Sequence, residues 1–353
     1  MKKRIKARSL WVMLFVVLLL SMFGCSSGEA GQEETSAGQI EQVKTEEASQ
    51  AEAGDPVKVS VVLDWSPNTN HTGLYAAKQM GYFAEEGLDV DIVLPGAASA
   101  DTAVAGGEAT FGVSYQEGVT LARTQGVPLV SIAAVIQHNT SGFASPKALG
   151  IATPKDFEGR TYGGWGSPVE GAMIESLMKD AGADYAKVKQ VSIGENDFFS
   201  AQKQGIDFQW IYYGWTGIES ELRNEPLNMV WLKDYSKKLD YYTPVLVTNE
   251  TMIADQPELV GKFVRAASRG YQYAVSNPED AANALLEAVP ELNRELVVAS
   301  AKWLSSKYID DAPRWGEQKV EVWANYAEWM KERGLMEGEF DPAKAFTNDF
   351  LPQ

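Results

Sequence analysis

The sequence predicts an α/β protein of two lobes facing each other across a cleft. Three observations lead there. Short valine-rich runs alternate with helical runs, the alternation restarts near residue 150, and polar-aromatic clusters recur where a strand hands over to a helix. A leader and a tether precede this body.

The leader spans residues 1–24. "MKKRIKARS" carries five basic residues and no acid, and "LWVMLFVVLLL" is an apolar run too short to span a bilayer comfortably. This is the pattern of a secretory signal. It ends at "SMFGC", and Cys25 is the only cysteine of the chain. A small residue before a lone Cys, then "SSG", resembles the lipobox of bacterial lipoproteins, in which that thiol is acylated; Met22 and Phe23 are not the preferred residues of that motif. An acylated Cys25 would anchor the chain to the cell membrane on its extracytoplasmic side without a spanning helix. Residues 25–55 are rich in Glu, Gln, Ser, Ala and Gly and poor in aromatics, so they read as a disordered tether. With Cys25 acylated no disulfide is possible, and the body depends on its core.

The body, residues 56–353, is long enough for two lobes. The net charge is −17, and −22 once the leader's five positive charges are set aside, which excludes a nucleic-acid partner. "VKVSVVLDW" reads as a buried strand and "HTGLYAAKQMG" as a helix closed by Gly81. "LDVDIVLPG" is a second strand, "SADTAVAGGEA" a short helix, "TFGVSY" a third strand, "QEGVTLARTQG" a helix and "VPLVSIAAVIQ" a fourth strand. This order is the signature of a parallel sheet. The pattern restarts with the strand "RTYGGWG" and the helix "SPVEGAMIESLMKDAG", which has Ser167 as N-cap and Glu170 three positions later. "KVKQVSIG", "NDFFSAQKQG" and "IDFQWIYYG" follow as strand, helix and strand. "YYTPVLVTNETMI" reads as a strand returning to the first unit, and four helices close the chain. The expected lobes are 56–147 with 246–353, and 148–245, joined by two crossovers.

In open α/β sheets ligands sit beyond the carboxyl ends of strands. Four clusters fall there: "LDWSPNTNHTGLY", "SYQEG", "YGGWGSPVEG", and the pair "IGEND" and "IYYGWTGIE". A flat heteroaromatic needs aromatic faces and a few fixed hydrogen-bonding groups at its rim. Trp65, Trp165, Trp215, Tyr115, Tyr212 and Tyr213 are candidates to stack; Asp64, Asn68, Gln116, Glu117, Glu170, Glu195 and Glu219 are candidates to read the rim; Gly163, Gly164 and Gly166 allow close approach of the backbone. An acidic rim suits an amino-substituted or cationic ligand. Each has a plainer reading: Glu170 as a capping residue, Asp64 as a partner of its own loop, Thr69 or Asn70 as an N-cap, Trp210 as core. His71 and His138 are the only histidines, and with no third ligand in view no metal is expected. No cofactor, nucleophile elbow or phosphate loop is indicated.

"LDWSPNTNHTGLYAAKQMGYFAEEGLDVDIV", "FGVSYQEGVTLARTQGVPLVSIAAVIQHNTSGFAS" and "DFEGRTYGGWGSPVEGAMI" resemble the NMT1/THI5-like family over essentially the whole body. The resemblance implies a type 2 periplasmic-binding-protein fold. It also implies a thiamine pyrimidine precursor as ligand, such as N-formyl-4-amino-5-aminomethyl-2-methylpyrimidine. The implied partners are the permease and ATPase of an ABC importer, and the implied role is that of a monomeric binding protein and not an enzyme. Fungal members are pyrimidine-forming enzymes with a cysteine-rich iron motif; near "DYYTPVLVTNE", where that motif falls, this sequence has no cysteine, although His71 aligns with the family's histidine. The alternatives are another heterocycle, such as riboflavin, or a pyrimidine-synthesis enzyme.

Overall fold

A computed structural model describes residues 55–96, 98–194 and 196–353. The leader, Cys25, the tether and Glu195 lie outside the described residues. Among the described residues ten strands run in chain order: β1 (Val57–Val62), β2 (Leu88–Val93), β3 (Phe111–Ser114), β4 (Leu129–Ala134), β5 (Ser141–Pro146), β6 (Thr161–Gly164), β7 (Lys189–Ser192), β8 (Gln209–Tyr212), β9 (Leu227–Trp231) and β10 (Val245–Asn249).

The first sheet has the order β2-β1-β3-β10-β4. β1 pairs in parallel with β2 and with β3. Helices cover this sheet, which is why β3, β4 and β10 read as unbroken apolar runs: every residue of each is buried. Phe111 of β3 stacks on Phe263 of the Pro257–Ser276 helix, which carries the core on to Phe83. That helix crosses the Thr72–Gln79 helix at close range. A side chain at Gly270 would meet the Ala77 Cβ at 2.7 Å, so glycine is required at the crossing.

The fully parallel sheet expected from the alternation does not form. β10 enters between β3 and β4 and runs antiparallel to both. It arrives from the other unit and not from a flanking helix, so no right-handed crossover fixes its direction. The consequence is positional: the residues just before β10 lie at the same edge as the carboxyl ends of β1 and β3.

The second group of strands also departs from the sequence reading. β5 and β9 were not foreseen; β5 is antiparallel to β8 on one side and to β9 on the other. "SGFASP" has one large apolar residue and no periodicity, so only its central place in the sheet makes it a strand. Gly142 shows how tight that place is, since a Cβ there would approach the Val230 carbonyl oxygen to 2.5 Å. β6 and β7 pair in parallel alongside. The core here gathers Phe143, Phe157, Tyr162, Met173, Leu177 and Phe208. It also takes Tyr326, Trp329 and Met330 from the Val320–Glu332 helix. β5, which the sequence reading placed with the first lobe, pairs with strands of the second sheet, and the Val320–Glu332 helix packs on both sides, with its Trp323 buried among Val62, Ala134, Val245 and Val247 of the first sheet.

Two segments connect the sheets, and they are laced together. His138, in the first, bonds through Nδ1 to Asp240 Oδ2 of the second at 2.7 Å, and its Nε2 lies 3.2 Å from Asp311 Oδ1. Asp240 Oδ1 accepts from the Asn139 N–H at 2.9 Å, and the Asn139 side chain donates to the Leu239 carbonyl at 2.9 Å. The bond to Asp240 outweighs partial burial and pushes the His138 imidazole up to about 9, with Asp311 adding to it. A histidine raised in the folded state adds stability that is complete below its ordinary value near 6.5 and is lost as the pH rises through the folded value. The melting temperature is therefore expected to fall between about pH 7 and about pH 10. His138→Gln should flatten that fall; a variant whose melt keeps the full alkaline decline would show that other groups carry it.

Candidate ligand-binding site

The loop after β1 is built as a strut. Asn68 caps the short turn Thr69–His71: its Oδ1 accepts from the Asn70 N–H at 2.9 Å and its side-chain amide donates to the Ser66 carbonyl at 3.0 Å. The Asn68 N–H donates to His71 Nδ1 at 3.2 Å. Nδ1 is thus an acceptor, and the ring proton sits on Nε2, which donates to Asp64 Oδ1 at 2.6 Å. Tyr308 and Tyr271 donate to the Thr69 and Asn70 carbonyls at 2.6 and 2.8 Å. Thr69 Oγ1 meets Ser300 Oγ at 2.5 Å, and Ser300 in turn donates to the Gly214 carbonyl in the turn after β8. His71 is fully buried with both nitrogens committed, so it orients Asp64 and has no atom left for a ligand or a metal. His138 is held elsewhere by Asp240, and the two histidines do not meet. Among the described residues no group of three or more His, Cys, Asp or Glu side chains is arranged to hold a metal ion.

Asp64 faces a cluster of carboxyls and tyrosines at the carboxyl ends of β1, β3 and β8. Burial alone raises its carboxyl; His71 and a hydrogen bond from Tyr115 outweigh this and hold it below the usual carboxylate range. Asp101, from the Ala100–Ala105 helix, is pushed up to about 6 by burial and by the nearby charge of Asp64, against a bond from Ser114. Glu117, in the first turn of the Gln116–Thr124 helix, is pushed up to about 7 by burial and by Asp101. Tyr115, Tyr212, Tyr241 and Tyr326 all have hydroxyls raised by burial and by neighbouring groups, Glu117 among them in each case. Two of the carboxyls are incomplete. Glu117 Oε2 and Asp101 Oδ1 are buried without a hydrogen-bond partner, and so is the Tyr326 hydroxyl. Native proteins seldom leave buried polar atoms unpaired, and these three belong to one cluster. Two open depressions elsewhere, of about 390 and 450 Å³, lack this chemistry.

The NMT1/THI5-like family model matches residues 68–281, more than half the chain. The chain belongs to this family. It is 31% identical to the formylaminopyrimidine-binding protein of Halalkalibacterium halodurans over 86% of this chain and 93% of that protein. It is 26% identical to a 4-amino-5-hydroxymethyl-2-methylpyrimidine phosphate synthase of Legionella pneumophila over 84% of this chain and 92% of that one. Among solved structures, the alkanesulfonate-binding protein SsuA of Xanthomonas axonopodis pv. citri superposes with a TM-score of 0.63 at 12% identity, over 83% of this chain and 99% of that one. The fold is that of the periplasmic binding proteins.

Within this NMT1/THI5-like chain, several residues singled out as ligand readers are engaged by the scaffold. Asn68 is consumed by its turn, as above. Gln116 is fully buried; its Oε1 accepts from the Tyr242 N–H at 2.9 Å and its Nε2 donates to the Val322 carbonyl at 3.1 Å. Glu170 accepts from the N–H groups of Trp165, Gly166 and Ser167 at 3.1, 2.8 and 2.7 Å and from the Tyr162 hydroxyl at 2.6 Å. Gly163 packs where a side chain would meet Ile193 and Ile206 at 2.8 Å, and Gly166 is required by its φ of +98°. Trp215 packs against the first core, and Glu219 pairs with Arg223. Trp65 and Trp165 remain as large exposed aromatics, at 41% and 46% exposure, and Trp165 lies 5.4 Å from Trp210. The sequence reading missed Asp101, Tyr241 and Tyr326.

Glu170 makes a clear test of this division. Removing it leaves the buried Tyr162 hydroxyl and three backbone N–H groups without an acceptor. Glu170→Ala is expected to lower stability by roughly 3 kcal/mol or more in urea unfolding. A variant as stable as the parent would return Glu170 to the list of ligand contacts.

Proposed function

We propose that the chain is an extracytoplasmic solute-binding protein of an ABC importer, tethered to the membrane through acylated Cys25, and that it binds an aminopyrimidine precursor of thiamine. The carrying observation is the buried cluster of Asp64, Asp101 and Glu117 walled by tyrosines, with acceptor atoms of Asp101 and Glu117 left open. An aminopyrimidine supplies the matching groups: an exocyclic amine to donate, a flat ring for aromatic faces, and no negative charge. The relative that binds formylaminopyrimidine, aligned over most of both chains, supports the same reading. Trp65 and Trp165, exposed near this edge, are proposed as stacking faces, and the two sheets with their helices as lobes that close over the ring. A binding role and not an enzymatic one accords with His71 being bound at both nitrogens and with Cys25 as the only cysteine.

The deciding measurement is the melting temperature and tryptophan fluorescence of the full chain in mild detergent, against aminopyrimidines, thiamine and riboflavin. A ligand at a hundredfold excess over its Kd stabilises by about 2.7 kcal/mol. An aminopyrimidine is expected to raise the melt most; a shift with riboflavin alone would overturn the ligand assignment. Trp165→Ala should abolish the ligand-induced shift and leave the ligand-free melt nearly unchanged. A large loss of ligand-free stability would instead make Trp165 a core residue.

A further inference from the structure

We propose that this cluster takes its ligand as a cation, with Glu117 and Asp101 as the counter-charge, and that these two carboxyls rank aminopyrimidines by charge. The proposal rests on the aminopyrimidine reading above and narrows the class of ligand.

The geometry begins with Glu117. One of its oxygens, Oε2, is buried and unpartnered; the other receives only a long bond of 3.5 Å from the Tyr241 hydroxyl. Asp101 lies against the same helix: its Oδ2 is 2.6 Å from where a side chain on Gly118 would begin, and its Oδ1 is buried and unpartnered. Tyr326, on a different element, is fully buried, its hydroxyl has no partner, and it faces Glu117 and Tyr212. A hydroxyl and two carboxyl oxygens from three helices, with Asp101 and Tyr326 both neighbours of Glu117, are thus left without a partner in the described protein.

The charge around them is one-sided. Asp101 from its helix, Tyr241 from the second connecting segment, Tyr326 from the C-terminal helix, Tyr115 from the end of β3 and Tyr212 from β8 face Glu117. Asp64 faces Asp101, Tyr115 and Tyr212. None of these neighbours is a lysine or an arginine, and the Nε2–H of His71 is directed at Asp64. Burial without a counter-ion is what holds Glu117 at about 7 and Asp101 at about 6. A cation entering the pocket reverses that cost. The proton on Glu117 then leaves to solvent as the carboxylate forms, and no bond to the ligand is made or broken. An anion meets three carboxyls and no donor of positive charge.

The sign of the pH dependence follows. If the cation lowers the carboxyl's pKa, affinity rises as the pH climbs through the free value, about 7 for Glu117, and levels off above it once that carboxyl is ionised. Titration calorimetry on the full chain in detergent, from about pH 5.5 to about pH 7.5 and in two buffers of different ionisation heat, reads both affinity and proton release. Three probes share the 4-aminopyrimidine ring with its 2-methyl group and carry 5-substituents of different charge: 4-amino-5-aminomethyl-2-methylpyrimidine, an ammonium; its neutral N-formyl derivative; and 4-amino-2-methylpyrimidine-5-carboxylate. The ammonium probe is expected to bind at least about tenfold tighter than the neutral one, and the carboxylate about a hundredfold weaker than the ammonium. Binding of the ammonium probe should release a proton below neutral pH. Glu117→Gln should lose that release and most of the preference between the charged and neutral probes. Equal affinities across the three probes, or binding of the ammonium probe without proton release, overturn the proposal while leaving the aminopyrimidine reading intact. Failure of all three to bind overturns both. The ranking in the unmodified chain is decisive even where the variant does not fold.

Discussion

The antiparallel entry of β10 between β3 and β4 governs where the chemistry lies. A parallel strand there would have carried its preceding residues to the far edge of the sheet. Running the other way, β10 is preceded by Tyr241, Tyr242 and Thr243 at the edge that holds the carboxyl ends of β1 and β3. Tyr241 then lies against Tyr326 with ring centroids 4.3 Å apart, Thr243 meets the Tyr212 hydroxyl at 3.3 Å, and Tyr242 fixes Gln116 at the start of the helix that bears Glu117. One strand direction therefore joins β8, the C-terminal helix and the end of β3 at a single place.

That placement explains the uneven legibility of the sequence. The alternation of strands and helices, the return strand and the strand-end position of Asp64, Tyr115, Glu117 and Tyr212 were readable, because valine-rich runs and helix starts are local signals. Tyr241 was not, since its position depends on the direction of β10, which no local pattern encodes. Tyr326 sits in a helix whose aromatic spacing suits packing, and it does pack; that its hydroxyl is buried without a partner is visible only in the structure. Asp101 follows β2 in a short helix and looks like an ordinary acidic first-turn residue.

Side-chain engagement by the scaffold was equally illegible. Asn68, Gln116 and Glu170 have the right atoms for reading a heterocycle, but residue type does not show how many of those atoms the backbone already claims. A capping box made Glu170 equally legible as a structural residue, and the structure adds three further donors to it beyond the box itself. His71 belongs with them. In a family whose relatives include a pyrimidine phosphate synthase, its burial and its two bonds give it a positioning role in this chain.

The anchoring of the Trp165 loop has a further effect on recognition. Glu170 holds the backbone at Trp165, Gly166 and Ser167, so the indole projects from a segment with little freedom left to lose. With Trp165 as the stacking face proposed above, the entropic cost of ordering that wall would fall at folding and not at each encounter with a ring. Such a preorganised face would leave association rates similar across related rings and concentrate discrimination in residence time.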